Sequence, residues 1–170
     1  MTRKTVATID LDGLVKNFEQ LKALAPNSQS LAVVKADAYG HGALQVARAL
    51  SKSTELFAVA FVDEAKALRD QGINKPILSM QGALDADECE WAGRHNVHLV
   101  VHHEQQLQWI HQLRTKRPEI WPKIDTGMHR LGFQPVLFSA ILQKYQHLIS
   151  AQSVIFTHLA SADEPQNGQT

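Results

Sequence analysis

The sequence predicts an α/β fold, a partial (β/α)8 barrel with about six of the eight strands. Short runs rich in Val, Ile, Leu and Ala recur along all 170 residues, separated by stretches with helical spacing. Most of these runs are apolar throughout rather than alternating, as in parallel strands covered by helices on both faces. Six successive strand–helix units then point to a barrel or a doubly wound sheet.

The elements follow in order. Strand-like runs fall at 5–9 (TVATI), 31–35 (LAVVK), 56–60 (LFAVA), 76–80 (PILSM), 97–101 (VHLVV), 119–124 (EIWPKI) and 151–157 (AQSVIFT). Behind Asp10, a candidate N-cap, Leu11, Leu14, Phe18, Leu21 and Leu24 recur at intervals of three and four, which predicts the first helix. Asp63 is the expected cap of a helix over 64–71, which Gly72 would stop. Leu107, Ile110 and Leu113 form the next apolar stripe, and Pro135 suits the first turn of a helix through 147. No repeat, low-complexity tract or internal linker interrupts the chain, so 1–170 reads as one domain. Only its end, DEPQNGQT, is linker-like.

A complete barrel of this kind takes about 250 residues, so this chain is expected to be a truncated one. An open barrel exposes two sheet edges, and the expectation is self-association or marginal stability.

Composition narrows the function classes. Lys plus Arg and Asp plus Glu both number 17, so the net charge is zero. That argues against an electrostatic nucleic-acid binder and against attachment to anionic lipid. The longest apolar stretch, Leu56 to Val62, is far shorter than the roughly 20 residues of a membrane span. The single cysteine, Cys89, excludes an internal disulfide and fits a reducing cytoplasm. Carboxylates crowd that cysteine in DADECEW and oppose a reactive thiolate. His98, His102 and His103 cluster without a second soft ligand, so no metal site is assigned. RTKR at 114–117 reads as a favourable charge at a helix end, and no phosphate-binding glycine loop is present.

Three segments carry chemistry. In AVVKADAYGHG (32–42), Lys35 closes a buried strand ahead of a compact turn containing Tyr39, Gly40 and Gly42. An amine at a dry strand end can attack a carbonyl and hold it as an imine. In KIDTGMHRLGF (123–133), Lys123, Asp125, His129 and Arg130 follow another strand, and Arg130 has the fork geometry for a carboxylate or phenolic oxygen. In FTHLASADE (156–164), His158 occupies the same kind of strand end, where it could stack on a ring or move a proton. Each has an ordinary reading taken singly: a lysine reaching into solvent, an Asp125–Arg130 surface pair, a hydrogen-bonded histidine. Together they place Lys35, Lys123, Arg130 and His158 on one rim, the C-terminal rim that carries active sites in barrels.

These three segments resemble the bacterial alanine racemase family of fold-type III pyridoxal-phosphate enzymes, in the same order and at similar separation. The resemblance covers essentially all of 1–170. It implies a barrel followed by a β-rich C-terminal domain, absent here, in a cytoplasmic head-to-tail homodimer that interconverts L- and D-alanine for peptidoglycan synthesis. It also implies that Lys35 carries pyridoxal 5'-phosphate and acts as a base on one face of the substrate. Tyr39 would bind the cofactor phosphate, and Arg130 would lie near the cofactor's phenolic oxygen and the substrate carboxylate. His158 would lie against the pyridine ring, and Lys123 matches a position that is carbamylated in some members. The family's second base, a tyrosine, comes from the partner's C-terminal domain. The 170-residue chain alone is therefore expected to have little or no racemase activity. The alternative reading is a non-catalytic pyridoxal-phosphate-binding barrel protein, a class that lacks the C-terminal domain.

Overall fold

The computed structural model describes residues 5–164 and 166–168. Pro165, Gln169 and Thr170 of the linker-like tail lie outside the described residues. The chain opens with helix α1 (Leu11–Ala23), and the Asp10 side chain accepts the Gly13 amide at 2.9 Å, the expected cap. Five parallel strands follow: β1 (Leu31–Val33), β2 (Leu56–Val59), β3 (Ile77–Ser79), β4 (Val97–Val101) and β5 (Ile120–Pro122). They pair in sequence order, β1-β2-β3-β4-β5. A doubly wound sheet reverses its strand order at a switch point. The unbroken order here is that of a barrel wall.

Helices cover the outer face: α3 (Ala43–Leu50), α4 (Val62–Asp70), α5 (Ala86–Arg94) and α6 (Glu104–Gln112) follow β1 to β4, and α7 (Pro135–Lys144) follows β5. Burial alternates along the strands between two cores. On β2, Phe57 and Val59 face the helices, where they pack with Ile77, Leu99 and Ile110. Leu56 and Ala58 face inward with Leu78, Val100 and Trp121. Both faces are apolar, which is why these runs lack alternation.

Three expectations need correction. Residues 5–9 form no strand: their side chains are exposed and no other described segment pairs with them. The run 151–157 contracts to a single parallel bridge between Phe156 and Lys123, in the place of a sixth strand. Asp63 is not the cap of α4, which begins at Val62. Glu64 does that work instead, its carboxylate accepting the Ala60 amide at 2.6 Å and the Phe61 amide at 3.1 Å. Glu64 stands at the third helical position and supplies the acidic half of a capping box, while Phe61 at the N-cap has no side-chain oxygen to complete it. Among the described residues no helix is long and apolar enough to cross a membrane.

Candidate active site

The four residues placed on one rim on chemical grounds meet, together with Tyr39, whose role only the resemblance implied. Lys35, Tyr39, Lys123, Arg130 and His158 all line one cavity of about 400 Å3 at the C-terminal ends of the strands. Leu31, Leu78, Met80 and Phe156 supply much of its apolar wall, while Gln81 and Thr157 add polar edges that motif reading missed. Their signal was available, since each belongs to a strand end or the residue just after it.

The first wall is built by an unusual turn. β1 stops at Val33, and Lys35–Gly40 (α2) then winds one left-handed turn with φ of 50, 54, 52 and 55° at Ala36, Asp37, Ala38 and Tyr39. Left-handed helix costs a non-glycine residue roughly 1–2 kcal/mol, so the turn persists because its ends are tied. Asp37 accepts the Ala43 amide at 2.7 Å, and the Gly42 amide donates to the Asp37 carbonyl at 2.9 Å. At the start, the Ala36 amide donates to Glu64 at 2.7 Å. The turn leaves Lys35 half-buried, with its ammonium nitrogen 5.9 Å from the centre of the Tyr39 ring.

The second wall is the loop after β5. The Asp125 amide donates to the Phe133 carbonyl and the Phe133 amide to the Lys123 carbonyl, folding 125–133 back on itself. Gly132 sits at φ +136°, and a Cβ there would lie 2.6 Å from the Asp125 nitrogen, so this closure requires glycine. The Asp125–Arg130 surface pair, the ordinary alternative for this loop, does not form among the described residues. Asp125 accepts the amides of Gly127 and His129 at 3.0 Å each, and these bonds hold its carboxyl below the usual range. Arg130 is thereby left to the cavity.

Electrostatically the cavity is cationic. Lys123 is only 5% exposed, and burial, reinforced by the Arg130 charge, lowers its pKa. His158 is also lowered, by partial burial and then by Arg130, Lys123 and Lys35, which favours a neutral imidazole. Cys89 lies elsewhere, buried in α5. Burial, aided by Asp85 and Glu88, pushes its thiol up to about 12. It is an inert core residue.

The cavity thus brings together two amines, a phenol, a guanidinium and a weakly basic imidazole. Fold and rim together define a parallel barrel-type α/β protein with a cationic cavity at its strand ends. Residues 9–170 match the family described as alanine racemase, N-terminal domain, and the chain belongs to that family. It is 53% identical to an alanine racemase of Alteromonas mediterranea, covering 100% of this chain and 48% of that protein. Against an alanine racemase of Chromohalobacter salexigens the identity is 41%, over 96% of this chain and 46% of the relative. The crystal structure of biosynthetic alanine racemase from Pseudomonas aeruginosa superposes with a TM-score of 0.87 at 36% identity, covering 97% of this chain and 47% of that one. The alanine racemase of Bacillus anthracis with bound L-Ala-P gives 0.79 at 31% identity, covering 95% and 43%. The chain thus spans about half the length of the curated relatives it matches.

Proposed function

We propose that this chain supplies the cofactor-binding half of a pyridoxal 5'-phosphate-dependent alanine racemase working as a homodimer in the cytoplasm. The observation that supports it most is the convergence of Lys35, Tyr39, Lys123, Arg130 and His158, far apart in sequence, on one cavity.

The residues fit the cofactor by their chemistry. Lys35 has the free amine that carries an aldehyde covalently, and the Tyr39 hydroxyl beside it suits the phosphate. Arg130, free of Asp125 and lining the cavity, would hold the cofactor's phenolic oxygen and the alanine carboxylate in its fork. A weakly basic His158 would pack against the cofactor ring without adding a competing charge. When bound, pyridoxal phosphate supplies delocalisation of the negative charge left when a proton leaves Cα. Inversion then needs proton transfer on both faces of that carbon, and Lys35 serves one of them.

Lys123 is the amine best placed for carbamylation. Its burial and the lowering of its pKa by burial and by Arg130 ease loss of the proton that carbamylation requires, and the resulting anion would orient Arg130.

The test is direct. Purified protein mixed with pyridoxal phosphate should gain a visible absorbance that borohydride fixes on the Lys35 peptide, and Lys35→Ala should not. Absence of the Lys35 adduct defeats this reading. A coupled D-alanine assay on the dimer separates racemase from a protein that only holds the cofactor.

A further inference from the structure

The left-handed Lys35 turn is tied at its start to a residue from another βα unit. Glu64 reaches from the first turn of α4 across 28 positions of sequence, and one carboxylate serves three amides. One oxygen accepts the Ala36 amide at 2.7 Å. The other accepts both Ala60 at 2.6 Å and Phe61 at 3.1 Å. Ala36 is the first of the four left-handed residues and directly follows Lys35. Ala60 stands just beyond β2 and also lines the cavity. Glu64 itself is not among the cavity-lining residues.

We propose that Glu64 is a positioning residue: by tying the Ala36 amide to the β2–α4 corner, its carboxylate fixes where the Lys35 amine enters the cavity. The inference rests on Lys35 being the cofactor amine. Two features make the tie matter. A strained turn is held only where its surroundings over-determine it, and the Asp37 contacts act at its far end. Lys35 and Tyr39 bracket the turn, so their mutual placement depends on it. Hydrogen bonds to a charged acceptor are also among the stronger ones available to backbone amides.

Glu64→Gln separates positioning from simple helix capping. Its one acceptor oxygen is best spent on the two amides at Ala60 and Phe61, which leaves the amide NH2 group facing the Ala36 N–H, donor against donor. Glu64→Ala removes both functions, and Leu68→Val, in the buried face of the same helix, controls for loss of packing. Three readouts apply: hydrogen exchange at individual amides, acetylation rate of each lysine in the cofactor-free protein, and borohydride trapping of pyridoxal phosphate on Lys35.

In Glu64→Gln, exchange at Ala36 and Ala38 should rise about tenfold while amides in α4 and β4 stay as in the wild type. Lys35 should acetylate several-fold faster, with Lys52 and Lys75 unchanged, and trapping at Lys35 should fall several-fold. Leu68→Val should show none of these changes. The proposal is overturned if Ala36 exchange or Lys35 acetylation in both Glu64 variants matches the wild type, or if Leu68→Val reproduces their effects. If wild-type Lys35 is not trapped at all, the reading of Lys35 fails instead, and exchange and acetylation still decide whether Glu64 governs its position.

Discussion

The Lys123 ammonium lies 5.3 Å from the centre of the Phe156 ring, across a parallel bridge that continues the sheet beyond β5. The backbone reinforces the pairing: the Phe156 amide donates to the Pro122 carbonyl and the Ile124 amide to the Phe156 carbonyl, both at 2.9 Å. A cation thus rests on an aromatic face inside a site that already holds Arg130, an arrangement that costs stability through desolvation and repulsion.

Replacing that cation should make the opposition measurable. Lys123→Met keeps the length and removes the charge, so the cofactor-free protein should melt about 2–4 °C higher. The same variant should bind pyridoxal phosphate more weakly, because a cation is lost from an anion site. Differential scanning calorimetry and absorbance titration measure the two effects, and a lower melting temperature would contradict the first.

Acid should destabilise the protein from near-neutral pH. His98 and His102 have pKa values lowered chiefly by burial, and His158 by partial burial with Arg130, Lys123 and Lys35. His98 Nδ1 is buried without a hydrogen-bond partner. For groups lowered on folding, the unfolded chain takes up protons first, so stability is full above about pH 6.5 and is lost as pH falls through the lowered values. The melting temperature should therefore fall between pH 7 and 5.5, and His98→Leu should flatten the slope. The depressed carboxylates of Glu55 and Asp125 act in a separate window, below about pH 4.5.

Gly93 marks a close approach of α5 to the segment before β5. A Cβ there would lie 1.9 Å from the Lys116 carbonyl oxygen, a backbone atom that cannot swing away. Gly93→Ala should cost about 2–3 kcal/mol, seen as a lower urea midpoint with an unchanged m-value. A neutral or stabilising result would mean that the 113–118 loop yields easily.

Asp125→Ala removes the acceptor for the Gly127 and His129 amides. Loss of that tie should loosen the loop carrying Arg130 and weaken pyridoxal phosphate binding on the order of tenfold. Asp125→Asn keeps one acceptor oxygen and should recover most of the affinity. Isothermal titration distinguishes the two, and equal affinity in all three proteins would dismiss the loop tie.

Amino-acid order alone determined the layer pattern and the chemistry. Continuous apolar runs at 31–35, 56–60, 76–80 and 97–101 specified strands buried on both faces, and the ends of the runs at 31–35, 119–124 and 151–157 carried Lys35, Lys123 and His158. Periodicity records burial, so it was legible without a structure. What it does not record is which partner a backbone amide or a charge will find. TVATI has the composition of a strand but no paired neighbour among the described residues, and AQSVIFT keeps one bridge for the same reason. The choice of Glu64 over Asp63, the turning of Asp125 away from Arg130 and the left hand of the Lys35 turn are tertiary decisions. Each depends on donors from segments that only folding brings within hydrogen-bond reach.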